Sequence, residues 1–207
     1  MKILDHKLYH IPSQEGGCAT WGPGTKIDTR SWKWNYFFSF YTQKKWQSQL
    51  DRIGQKAGSY GEHVPSTLAK QMYGVMKDQA ILIRELVFED VRLQQFPSLP
   101  SRKSCAFLFR EEHAELWWKK LGGPTARRPI AEVVATGEAH FGDEQYLRAD
   151  CIPYDEHCEK AVLYWKGTPE DRAEREEVVF FGEFEVVSIW QSLEHWKECR
   201  TGEAQQL

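Results

Sequence analysis

The chain predicts a single domain of mixed α+β class, and three observations lead there. Short runs rich in β-branched and aromatic residues recur far apart, at Lys7–Pro12, Cys105–Phe109 and Val178–Phe181, and that composition favours strands. Between the first two, apolar residues from Leu68 through Met72, Val75, Met76, Leu82, Ile83, Leu86, Val87 and Val91 keep helical spacing. At 207 residues, with no repeat, low-complexity stretch or linker to divide it, the chain reads as one domain over 1–207. A chain this long buries a substantial core without disulfide or metal staples.

Taken in order, Lys7–Pro12 is a short strand ended by proline, followed by turn signals at Gly16-Gly17 and Gly22-Pro23-Gly24-Thr25. Arg30 to Tyr41 holds seven aromatic residues, which core packing explains best. Trp46, Leu50 and Ile53 mark an amphipathic helix. A second, long helix runs from about Pro65 to Phe96-Pro97, with Gly74 as the place for a bend and proline as its stop. A stiff Pro100-Ser101-Arg102 turn leads into the Cys105–Phe109 strand. Glu111 to Leu121 is a short helix stopped by Gly122-Gly123-Pro124, and Arg127 and Arg128 follow in a loop. Pro129 to Gly137 reads as a strand, His140 to Asp150 as a loop, and Asp155 to Trp165 as a helix stopped at Gly167. The last strand opens with Glu176-Glu177 and closes with Phe184, Val186 and Trp190 on one face, Val187 and Ile189 on the other. Leu193 to Cys199 forms a terminal helical turn.

Net charge is −3, so nucleic acid would have to be met by a local basic patch. Five cysteines without regular spacing, a charged first segment (Lys2, Asp5, His6, Lys7) and no run of about 20 apolar residues predict a reduced, cytoplasmic protein without a membrane span. Cys151, His157 and Cys158 fit no closed zinc spacing, so no metal is expected. No Gly-x-Gly-x-x-Gly, Walker, Gly-x-Ser-x-Gly or His-Glu-x-x-His motif occurs, which sets aside the chemistries those motifs carry.

Three segments, in this order, resemble the ADP-ribosyltransferase superfamily across most of the chain. They are Tyr9-His10 before a glycine-rich turn, Pro100-Ser101-Arg102 before a strand, and Glu176-Glu177 before Val-Val-Phe. The spacing Arg92-x-x-x-Phe96-Pro97 with Pro-Ser-Arg, and the Tyr164-Trp165-x-Gly167 ending, are similar to a bacterial branch of that superfamily whose function is unknown. The resemblance implies two small split β-sheets flanked by helices around an NAD cleft. Glu177 would be the catalytic carboxylate, with Glu176 and Glu183 as alternatives. His10 and Thr25 would line the dinucleotide site, Ser101 would brace the carboxylate or the ribose, and Arg102 would hold phosphate. Arg175 stands two before Glu177, where arginine-modifying members carry Glu or Gln. The acceptor for ADP-ribose is therefore expected to be RNA, DNA or another protein side chain, with water as the glycohydrolase alternative. The segment Thr168–Arg175 is the expected target-recognition loop. Bacterial members of this kind imply a toxin or antiphage effector, and with it an antitoxin partner. Two alternatives stand beside the enzyme: a module that binds NAD, ADP-ribose or RNA without chemistry, and a protein-interaction domain built on the aromatic surface.

Overall fold

The computed structural model describes residues 1–12, 21–43, 46–58, 65–122, 128–148, 152–167 and 175–204. The Gly16-Gly17 turn, Arg127, Cys151 and most of the Thr168–Arg175 loop lie outside them. In chain order the elements are β1 (Lys2–His10), β2 (Lys26–Asp28), α1 (Tyr36–Gln43), α2 (Trp46–Gly58), α3 (Ser66–Gln95), β3 (Ala106–Leu108), α4 (Ala114–Gly122), β4 (Ile130–Asp143), α5 (Tyr154–Trp165), β5 (Glu176–Trp190) and α6 (Leu193–Ala204). Helices and an antiparallel sheet share one chain, an α+β fold.

β5 organises the sheet. Along one edge it pairs with β4 for its whole length, from Asp143↔Glu176 to Ile130↔Trp190. Along the other it changes neighbour: Val178–Phe180 pair with β3 and Glu183–Glu185 with β2. At the changeover Thr29 stands in for a strand, its buried Oγ1 accepting from the Gly182 amide (2.8 Å) and donating to the Gly182 carbonyl (3.2 Å). β1 joins the outer edge of β4. Its end then curls round to β3, because Tyr9 and Phe109 exchange backbone hydrogen bonds of 2.8 and 2.9 Å. The result is one curled sheet with a switched neighbour on β5, where two separate small sheets were expected.

Apolar residues fill the inside of the curl: Leu8, Leu108, Val133, Val178, Phe180 and Phe184 form one cluster. On the other face α3 and α5 cover the sheet through Phe88, Val91, Tyr164, Trp165 and Val179. α4 and α6 close one end around Tyr9, Phe109, Trp117 and Trp196. Strand alternation puts Glu177 on the face of Val179, under α3 and α5, and Glu176 on the opposite face.

Several expectations are corrected. β1 begins at Lys2 rather than Lys7. Its polar residues conceal an edge strand, and a register shift between Ile3 and His6, with Asp5 at φ 47°, breaks the alternation. β4 runs on through His140 to Asp143, where a loop was expected. Val187 is an extra residue opposite the Glu132/Val133 step, so Ile189 joins Phe184 and Val186 in the curl and Trp190 turns to the end cluster. α3 is one helix of 30 residues whose expected apolar stripe divides: Leu68, Val75, Val87 and Val91 are buried, while Met72, Met76, Ile83 and Leu86 point outward. Met76 is 59% and Ile83 49% exposed, whereas Arg84, Glu85, Glu89 and Arg92 are buried. Among the described residues no helix is long and apolar enough to cross a membrane.

Candidate functional site

α3 places Glu85, Glu89 and Arg92 at i, i+4 and i+7, one inward face. The chain then turns through Pro97–Arg102, and Arg92 braces that turn. Its guanidinium grips Glu89 (2.8 and 3.2 Å) and donates to the Leu99 carbonyl (2.9 Å). Ser101 Oγ donates to Glu89 (2.9 Å) and accepts from the Lys103 amide (3.1 Å). From the other side Asn35 Nδ2 donates to the carbonyls of Arg102 (2.8 Å) and Cys105 (3.1 Å). A turn held so tightly fixes where its next side chain goes, and Arg102 goes inward.

Arg102 is 3% exposed. Its Nε donates to Glu85 Oε2 (2.9 Å), and its Nη1 donates both to the Tyr164 hydroxyl (2.6 Å) and to Glu177 Oε1. The Tyr164 hydroxyl donates in turn to Glu177 Oε1 (2.6 Å). Arg84 holds Glu85 from the far side (2.5 Å). Two guanidiniums thus face two carboxylates, and the buried cluster is neutral as a unit, the condition under which buried charge is tolerated. Burial alone would raise the Glu85 pKa, but Arg102 and Arg84 together bring it down to about 2. For Arg102, burial opposes the charged form, yet Glu177 and Glu85 raise its pKa well above the ordinary value. Burial also pushes the Tyr164 hydroxyl far up, Glu177 adding to it, so Tyr164 stays a donor.

Glu177 is therefore directional. Both of its contacts land on Oε1, and among the described residues Oε2 accepts no hydrogen bond. The other two carboxylates stand elsewhere. Glu176 meets Arg110 (3.1 Å), and its carbonyl accepts from the Trp117 indole (2.8 Å). Glu183 lies at the surface against Arg30, which also holds Asp28.

His10 reaches the same region from β1. Its Nδ1 lies 2.8 Å from the Phe107 carbonyl. Burial lowers its pKa to about 4, so near neutrality the ring is uncharged, Nδ1–H is the donor, and Nε2 carries the lone pair. The Phe107 ring lies 4.8 Å from the Arg102 guanidinium, so this one residue links His10 to the Glu177 cluster. Trp21 packs beside His10 at 5.1 Å. Thr25 sits in the adjoining turn, accepting from the Gly22 amide (3.0 Å), with its carbonyl on the Val186 amide (2.9 Å). The fold thus gathers Glu177, Arg102 and, through Phe107, His10. Ser101 is turned to Glu89, and Thr25 to the far half of β5.

Glu85, Arg84 and Tyr164 belong to the cluster without having been assigned to the site from sequence, Tyr164 having been noted only in the Tyr164-Trp165-x-Gly167 ending. Their signal was partial: Glu85, Glu89 and Arg92 recur at helical spacing among Leu82, Leu86, Val87 and Val91, and a tyrosine stands one turn before Gly167. Gly142 belongs with them, since it faces Glu177 across the β4–β5 ladder and a Cβ there would come within 2.4 Å of the Tyr164 ring. Among the described residues no group of three or more His, Cys, Asp or Glu side chains is placed to hold a metal ion. A groove of about 370 Å³ lies away from this cluster, between α2 and α3, beside Arg52, Lys56 and Gly74.

The model of a family described as "Protein of unknown function (DUF2441)" matches residues 8–194. The chain belongs to that family. The matched span takes in β1 from Leu8, the Pro-Ser-Arg turn, α5 and all of β5, so the cluster lies wholly within the family's domain. No curated protein matches the chain.

Proposed function

We propose that this DUF2441 protein is an NAD-dependent ADP-ribosyltransferase acting on a macromolecule. The reading rests on Glu177, a buried carboxylate opening the central strand, with one oxygen anchored by Arg102 and Tyr164 and the other accepting no hydrogen bond among the described residues. Breaking the bond between ribose and nicotinamide passes through an oxocarbenium-like ribose, as in glycoside cleavage. A carboxylate held in place before the reaction stabilises that charge as it develops. Glu177 Oε2 takes that role here. The electron pair of the broken bond leaves with nicotinamide, the acceptor's lone pair forms the new bond at C1′, and the acceptor's proton is released.

The resemblance assigned Arg102 to phosphate, but its inward geometry makes it the residue that positions Glu177. His10 offers Nε2 as an acceptor for a ribose hydroxyl. Thr25 would contribute its turn to the nicotinamide side, and Ser101 acts by bracing the turn that carries Arg102. The switch of neighbour along β5 supports an ADP-ribosyltransferase-like core, in which two groups of strands diverge beside the cleft. As a bacterial effector of this kind the protein would act in the cytoplasm as a toxin or antiphage factor, countered by an antitoxin.

Purified wild-type and Glu177→Gln protein are incubated with radiolabelled NAD and cell lysate, and the protein, RNA and DNA fractions are counted beside released nicotinamide. Label in one fraction, lost in the variant, is the expected result. Nicotinamide without label would identify a glycohydrolase, and no turnover by either protein would overturn the enzyme reading. The closed pairing of Glu177 with Arg102 favours one second reading, a binding module without chemistry. Under it Glu177→Gln would leave the biological effect unchanged.

A further inference from the structure

The 22 residues from Thr29 to Leu50 contain eight aromatics, four basic residues and no Asp or Glu, in a chain of net charge −3. Arg30 is already committed to Asp28 and Glu183. Lys33 is not so held: its Nζ lies 5.0 Å from the centre of the Trp34 ring. Trp34 meets Phe38 edge-on at 5.8 Å, and Lys103 Nζ lies 5.2 Å from Phe38. Two ammonium groups therefore flank a pair of rings. Trp34 (40%), Tyr36 (44%) and Phe40 (43%) keep much of their surface in solvent, Tyr36 and Phe40 one turn apart on α1. In sequence Lys44-Lys45 follow directly on α1. The platform is also tied to the candidate site. The Asn35 amide donates to the Lys103 carbonyl (2.6 Å), and Phe37 packs on Phe107 (5.8 Å), whose ring carries Arg102.

We infer that this platform binds single-stranded nucleic acid, with bases stacked on Trp34 and its aromatic neighbours and phosphates beside Lys33 and Lys103. Exposed ring faces interleaved with cations suit an unpaired strand, because every base has a π-face and every linkage a charge. A duplex hides its faces. A protein partner would gain from the rings but has no need of a 22-residue segment without a single acid. The placement beside Phe107 brings a bound strand to the Glu177 cluster, so RNA or DNA becomes the acceptor class; that last step rests on the transferase reading, whereas the binding itself does not.

The test uses the whole chain without NAD. Fluorescence anisotropy follows labelled 20-nucleotide oligouridine and oligothymidine, a 20-base-pair duplex, and labelled polyphosphate as a charge-only control. Both single strands should bind more tightly than duplex or polyphosphate. Trp34→Ala should weaken them at least about fivefold, the loss of one stacked base, while Trp34→Phe keeps most of the affinity. Lys33→Gln with Lys103→Gln should make the log–log salt slope shallower by about 1.4, two single-strand phosphate contacts. The inference is overturned by absence of oligonucleotide binding, by equal affinity for polyphosphate, or by a folded Trp34→Ala that binds unchanged. Capture of a protein through Trp34 without oligonucleotide binding would also overturn it. Because NAD is left out, oligonucleotide binding without NAD turnover fails only the transferase reading, and turnover without binding fails only this one.

Discussion

Replacing Arg102 by Met removes a buried guanidinium while keeping a side chain of similar reach. The wild-type group is 3% exposed and donates to Glu85, Tyr164 and Glu177. Removing one partner of a buried pair costs about 3–5 kcal/mol, because the remaining charge stays buried without compensation. Here Glu85 keeps Arg84 at 2.5 Å, so the charge left stranded is that of Glu177. One stranded carboxylate, not two, keeps the expected loss within that range. At roughly 2–4 °C per kcal/mol for a chain of this size, the melting temperature should fall by about 6–20 °C. Thermal and urea unfolding followed by far-UV circular dichroism at pH 7 measures it. Arg102→Met combined with Glu177→Gln removes the stranded charge and should recover about 1–3 kcal/mol of the loss. A single variant within about 1 kcal/mol of wild type, or a double variant that recovers nothing, would refute the picture of a mutually neutralising cluster.

Acid should destabilise the protein in two stages. Burial lowers His140 to about 4 from 6.5, with its Nε2 3.0 Å from the Tyr164 carbonyl, so it is neutral when folded and charged when unfolded in between. Its share of stability is complete above pH 6.5 and lost as pH falls toward 4, about 3 kcal/mol in all, with His10 adding in the same direction. Glu85, depressed to about 2 from 4.5, contributes above pH 4.5 and loses that contribution as pH falls toward 2. Urea unfolding at intervals from pH 7.5 to 3 checks both, and a flat profile between 6.5 and 4 would contradict the histidine part. Gly142→Ala drives a methyl into the Tyr164 ring and should cost about 1–3 kcal/mol. In a Tyr164→Leu background the same change should cost clearly less, and an equal cost in both backgrounds would rule out that contact.

Much of the helix and strand pattern was legible because it depends on local composition. The Val-Val-Phe strand, the long helix and its Phe-Pro stop all follow from spacing and proline chemistry. What escaped was set by pairing at a distance. The two bulges, at Asp5 and Val187, shift the faces of β1 and β5 and leave little trace in sequence. α3 shows the larger limit. Its apolar stripe, read alone, puts Met72, Met76, Ile83 and Leu86 inside, yet the inward face is chosen by partners that arrive from the Pro-Ser-Arg turn and from α5. Glu177 and Arg102 were both picked out, but for separate duties. Only the fold shows that they hold each other, and that Glu176 and Glu183 are drawn away by Arg110 and Arg30.

The neighbour switch along β5 makes Gly182 a weak stitch in a strong seam. On one edge the strand is laced to β4 from end to end; on the other, a single threonine hydroxyl spans the step between β3 and β2. If that stitch parts, the strands on either side are free to splay while the β4 ladder stays whole. Parting there would leave the longest ladder of the sheet in place, along the strand that carries Glu177.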